Sequence, residues 1–186
     1  EHPVVLGPEE TIFENLCYGL AIDQTELKND KDTNAALMAR ARNILALLGC
    51  DRAIVENIDK EGFLGADGSK LTRTDRQLIS LARAFLLNPE LLLMHKPTAL
   101  LGPEHAKLVS SAMKQFVEGR GLLVDRKPGE AKVRRRLRTI IFTAASPKEV
   151  PDFADEVYDV VGGTLKKRKN MKRTANAILS LLNDSG

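Results

Sequence analysis

His95 and Lys96 stand where an apolar run, Leu91 to Met94, stops and Pro97-Thr98 turns the chain. An imidazole beside an ammonium is a basic pair with no oxygen ligand for a hard metal ion. Lys96 would repel a metal, and it could act as a base only if its pKa fell by several units. Upstream, Leu71, Thr72, Arg73, Thr74 and Asp75 open a helix, with Thr72 and Asp75 in capping-box register. The free N–H groups and positive dipole end of such a helix favour an anion. Capping alone accounts for Thr72 and Asp75 equally well. His2 and His105 are lone histidines that read as surface or core-edge groups, and no Ser-His-Asp or Cys-His arrangement has supporting context. Cys17 and Cys50 lack metal-ligand spacing and read as reduced, cytosolic thiols.

Several elements must position these groups. Thr11 and Glu14 form a capping box ahead of a short helical run, and a longer helix follows. It is capped by Asp32 or Thr33, carries its apolar face over Ala35 to Leu48, and stops at Gly49. A short helix is expected over Arg52 to Asn57, followed by a loop punctuated at Gly62, Gly65 and Gly68. The helix from Arg73 to about Leu87 has two adjoining apolar rows, Ile79, Ala82, Leu86 and Leu78, Leu81, Phe85, and is therefore substantially buried. Leu91 to Met94 reads as a buried strand by its length and lack of alternation. A helix from Pro103 to about Glu118 follows, with proline in its first turn. Thr139 to Thr143 is a second buried strand, and Glu156 to Val161 a third that ends at Gly162-Gly163. A last helix is expected over Met171 to Leu182. Strands alternating with helices predict an α/β sheet preceded by a mostly helical portion.

Composition bounds the possibilities. A chain of 186 residues, 43% hydrophobic and 28% charged, suits one globular domain with a real core. No apolar run approaches the roughly 20 residues that span a bilayer. The start, EHPVVLGPEE, fits neither a signal nor a transit peptide. The net charge of +3 is unevenly distributed: Arg126 to Arg138 holds seven Lys/Arg against one acid, and Lys166 to Arg173 holds six with none. Such clusters can meet nucleic acid or anionic lipid, although solvated loops are the commoner case. With two Tyr, no Trp and no aromatics among the basic clusters, a stacking platform for single-stranded nucleic acid is not expected.

The stretch from Gly68 to Glu104, GSKLTRTDRQLISLARAFLLNPELLLMHKPTALLGPE, closely resembles the ATP-binding cassette (ABC) family. The family pattern there is LSGGQ-RQ, then LARA, an apolar strand ending in DEPT, and a segment ending in LD. This chain has LTRTD, HKPT and ALLG at those places. Glu1 stands for the family's Q-loop glutamine in a region that otherwise looks like its Q-x-P and T-I-x-E-N segments. TIIFTAAS resembles the strand before the switch histidine, whose place Ala145 takes, and Ala154 to Leu165 resembles the closing strand and turn. The similarity covers about residues 1–165.

The resemblance implies a P-loop NTPase-like (RecA-like) α/β sheet with an ABC α-helical subdomain. Only the C-terminal two-thirds of a cassette is expected, with the first strands and the Walker A loop absent. Within residues 1–165 it places the helical subdomain at about 10–70. The signature helix, Walker B-like strand and following helix take 71–118, a basic insertion 119–138 and the closing strands 139–165. Residues 166–186 are then a basic linker and C-terminal helix. The family's ligands are ATP and Mg²⁺, and its partners are a second cassette and the membrane domains of a transporter, at the cytosolic face of a membrane. The catalytic positions hold His95, Lys96, Ala145, Gly102 and Glu1, none of the family's type. The signature surface, which acts on a partner's nucleotide, carries the bulk of Arg73 and Thr74 where glycines allow close approach. The expectation is a hydrolysis-incompetent cassette with a scaffolding or regulatory role. Its rivals are a weak ATPase leaning on an intact partner cassette, and a soluble cassette gripping RNA or anionic lipid through its basic insertion.

Overall fold

A computed structural model describes residues 10–20, 30–65, 68–124 and 136–168. Glu1, His2, most of the basic stretch from Arg126 and the expected tail helix lie outside the described residues. The chain divides into two compact units between Glu149 and Val150.

In the first unit, helix α1 (Ile12–Cys17) starts at the expected Thr11–Glu14 capping box. Helix α2 (Lys31–Leu47) is capped by Asp30, not by Asp32 or Thr33, because the Asp30 carboxylate reaches the N–H of Thr33 at 3.1 Å. It ends ahead of Gly49, at φ +80°, as expected of a C′ glycine. Helix α3 (Arg52–Glu56) stops one residue short of expectation, with Asn57 as its C-cap.

Helix α4 (Arg73–Leu87) is the centre of the packing. Its six expected apolar residues, Leu78, Ile79, Leu81, Ala82, Phe85 and Leu86, are all buried. Helices α1 and α2 pack on it, and buried Ile12, Leu16, Ile44, Leu45 and Leu48 supply the facing side chains. Each such residue, taken out of water, contributes about 1.5–3 kcal/mol. Asn88 closes α4 in the left-handed conformation, φ 53°, and Pro89 prevents continuation.

Strand β1 (Leu91–His95) runs one residue further than predicted, so His95 belongs to the strand. Helix α5 (Pro103–Gly119) follows with its proline at the first turn, and strand β2 (Thr139–Thr143) returns parallel to β1. The Phe85 and Phe116 rings, 5.6 Å apart, join α4 to α5. The two strands are not the fully buried pair that their composition suggested. Along both, exposed residues alternate with covered ones; Leu93 is 67% and Ile141 57% exposed. Parallel sheets are ordinarily covered on both faces. Among the described residues β1 and β2 pair only with each other, and neither helix nor further strand lies over that row.

The second unit is an antiparallel hairpin of β3 (Tyr158–Val161) and β4 (Thr164–Lys167), turning at Gly162-Gly163. The expected third strand thus starts two residues later than predicted and pairs with its own continuation. Arg168 closes the hairpin with a bidentate pair to Asp159.

Candidate functional site

The register of the parallel pair sets His95 beside Thr143. The Thr143 hydroxyl accepts the Lys96 backbone N–H at 3.1 Å and shares a hydrogen bond with His95 Nδ1 at 3.0 Å. One hydroxyl therefore joins the C-terminal ends of both strands at the point where β1 gives way to its turn. Lys96 itself adopts φ +46°, a left-handed conformation that costs a side-chain-bearing residue about 1 kcal/mol or more. The His95 and Lys96 side chains are exposed. The turn then closes through Ala99 N–H to Lys96 O and Leu101 N–H to Thr98 O.

Gly102 is the N-cap of α5 and makes no side-chain cap. A Cβ added there would meet nothing within 4 Å. Ala145 follows β2 at the same end of the sheet as Lys96; its N–H donates to Glu149 Oε2 at 2.9 Å. A backbone amide is thus tied by a local carboxylate where the resemblance expected a side chain reaching outward. Glu1 cannot be placed, since it lies outside the described residues.

At the start of α4 the capping box is complete. Thr72 N–H donates to Asp75 Oδ2 at 3.0 Å, and Asp75 N–H to the Thr72 hydroxyl at 3.1 Å. The Thr72 hydroxyl also donates to the same carboxylate. Leu71 is buried as an anchor, Arg73 is exposed and Thr74 half-buried. Gln77, which sequence reasoning did not single out, links this helix to the strand end: its amide donates to Pro97 O at 3.3 Å. That bond ties the second turn of α4 to the turn that follows β1.

Two further polar residues tie helices together. Arg83 donates to Asn15 O at 2.9 Å and to the Asn15 side-chain oxygen, bringing α1 onto α4. Burial lowers the Arg83 pKa, while Glu10 and Tyr18 oppose that shift. His105 is indeed a core-edge group, with its Nε2 3.2 Å from Gly49 O at the end of α2. Both cysteines are buried free thiols. Of the basic stretch, Arg136 pairs with Glu90 at 2.7 Å and Arg138 donates to Asn88 at 3.1 Å. These two cations already have local intramolecular partners.

No described group of three or more His, Cys, Asp or Glu could hold a metal ion. The side chains that the end of β1 and its neighbour on β2 supply are an imidazole, a lysine and a neutral hydroxyl. Mg²⁺ prefers anionic oxygen in octahedral array, so this donor set does not fit it. No described helix is long and apolar enough to cross a membrane.

No family model matches the chain. It is 34% identical over 133 residues to a multidrug resistance ABC transporter ATP-binding and permease protein of Lactococcus lactis, across 70% of this chain and 19% of that protein. A match to multidrug resistance protein pgp-1 of Caenorhabditis elegans is 31% identical over 128 residues, across 64% of this chain and 9% of that protein. The chain thus spans a fifth or less of the length of these relatives. A solved bacterial Atm1-family ABC exporter with ATP bound superposes with a TM-score of 0.56 at 19% identity, over 94% of this chain and 25% of that one. At that identity the superposition speaks to fold.

Proposed function

Because this chain belongs to the ATP-binding cassette family, we propose that it is part of a transporter nucleotide-binding domain that scaffolds or regulates and does not hydrolyse ATP. In this reading it is a partial P-loop NTPase-like sheet with a helical subdomain. It works at the cytosolic side of a membrane against a second cassette and membrane domains supplied by the whole transporter. The observation that carries the reading is the His95–Thr143–Lys96 arrangement. Phosphoryl transfer depends on a metal clamp and an oriented nucleophile. Here the strand end offers a cation and a hydroxyl already engaged in joining two strands.

Four other residues support it. Gly102 supplies no carboxylate. Ala145 has only a methyl group where a polar side chain would have to sense a terminal phosphate. At the start of α4, the Thr72 hydroxyl is committed to Asp75, and the exposed Arg73 side chain adds bulk where backbone would have to approach a phosphate closely. A chain altered at its own site and at the surface it shows a partner weakens both sites of a pair.

The test is inorganic phosphate release by the full chain with Mg²⁺ and ATP, alone and mixed with an intact cassette of the family. The expected result is no release above buffer alone, and no stimulation of the intact partner. Mg²⁺-dependent turnover that disappears in Lys96→Met would overturn the proposal. Stimulation of the intact partner would favour the weak-ATPase rival instead.

A further inference from the structure

The C-terminal ends of α4 and α5 meet at one junction. Asn88 ends the first at φ 53° and Arg120 the second at φ 56°, and Leu123 adopts φ 48°. Three side-chain-bearing residues in the left-handed region within one locality mark a place that the surroundings hold firmly. The approach is close: a Cβ on Gly121 would lie 2.7 Å from Asn88 Oδ1. Leu122, one residue on, is buried.

Helix α2 sends Arg40 into this junction. Its Nη2 donates to Phe85 O at 3.1 Å, its Nη1 to Leu86 O at 3.1 Å and its Nε to Leu122 O at 3.2 Å. Phe85 and Leu86 lie in the last turn of α4, where carbonyls lack intrahelical partners and the dipole is negative. A guanidinium offers five N–H donors in a planar fork, which suits three carbonyls arriving from two segments. Lysine brings the same charge on a single nitrogen. Arg138, donating to Asn88 Oδ1, adds a second cation at the same helix end.

We propose that Arg40 is a conformational latch that makes α2, the C-terminal turn of α4 and residues 121–124 one mechanical unit. The direction of α4, and with it the position of Thr72 at its other end, is then set by α2. Gln77 and Pro97 anchor the helix nearer its start, so α4 is held towards both ends. The helices and the β1 strand end move together, and a displacement of α2 reaches the His95–Thr143 region through α4. This inference stands whether or not the chain hydrolyses nucleotide.

Native-state amide hydrogen exchange on the full chain, read by mass spectrometry, tests it. In Arg40→Met, exchange in peptides covering residues 84–90 and 119–124 should accelerate by about tenfold or more, the scale of one lost charge-assisted hydrogen bond. Arg40→Lys should fall between, and peptides over α1 should be unchanged. Unchanged exchange in both windows, or equal acceleration in α1, would overturn the latch. Should Arg40→Met fail to fold, the wild-type chain still decides: in dilute urea, residues 37–43, 84–90 and 119–124 should lose protection with one common urea dependence. Separate, earlier opening of 119–124 would also overturn it.

Discussion

Thr72→Ala separates two roles that one side chain at the start of α4 can play. The threonine hydroxyl accepts the Asp75 N–H at 3.1 Å and donates to the Asp75 carboxylate, while the third bond of the box, from Thr72 N–H to that carboxylate at 3.0 Å, belongs to the backbone. Alanine removes the first two and leaves the third. Thr72 is exposed and Asp75 only half-buried, so water replaces part of what is lost. The net cost is therefore the usual one for an N-cap, about 1 kcal/mol. For a domain of this size that corresponds to a melting point lower by about 4 °C. Serine keeps the hydroxyl and should melt close to the parent. Thermal unfolding followed by circular dichroism, beside binding of a fluorescent ATP analogue to the chain mixed with an intact cassette of the family, gives both readouts. If the hydroxyl serves only as a cap, Thr72→Ala lowers the melting point and leaves analogue binding as it was. Weakened analogue binding with an unchanged melting point would refute the capping argument and show the hydroxyl facing nucleotide.

Gly49→Ala should destabilise by roughly 1–2 kcal/mol in urea unfolding, because the new Cβ would sit at φ +80°, while Leu108 Cδ1, 2.7 Å away, ends an exposed side chain that can turn aside; an unchanged stability would mean that the backbone at this position relaxes out of the left-handed region. Gly102→Asp should stabilise by a few tenths of a kcal/mol, since the site is an uncapped N-cap with open space around its Cβ, and should restore no phosphate release. A thiol-reactive aromatic disulfide at pH 8 should leave Cys17 and Cys50 untouched until urea unfolds the chain, and rapid native labelling would contradict their burial. Burial pushes both thiols from the ordinary 9.0 up to about 12, so their contribution is complete below pH 9 and is lost as pH rises towards 12. Between those limits stability should fall by up to about 1.4 kcal/mol per pH unit for each thiol. A Cys17→Ala, Cys50→Ala variant should show a flatter decline in urea unfolding above pH 9; an identical slope would exclude the thiols as its cause.

The readable and unreadable parts of the site divide by distance along the chain. Thr72 and Asp75 were legible as a cap because an N-cap hydroxyl and the third residue of its helix meet in any helix start. The buried face of α4 was legible because its six apolar residues fall on two adjoining rows of a 3.6-residue helix. Thr143 could not be singled out, because only the β1–β2 register sets it beside His95. Gln77, Arg40 and Arg83 read as ordinary polar helix positions, and their acceptors lie 20 to 82 residues away. The one systematic error, that Leu91–Met94 and Thr139–Thr143 are buried on both faces, came from taking an apolar run as proof of cover. A run of Leu and Ile establishes that strands of this type need covering, and leaves open what lies over them.

By itself, then, the sequence determined the described helices and the capping boxes at the starts of α1 and α4. It also determined which residue types occupy the end of β1. These follow from backbone sterics and from hydrogen bonds spanning three or four residues. The tertiary structure decided that His95 and Lys96 share one hydroxyl from β2, that Arg40 binds the carbonyls of two distant segments, and that one row of the sheet faces solvent. Each of those depends on packing between segments far apart in the chain. No local preference specifies such packing, and only burial of the common core around α4 brings the segments into contact.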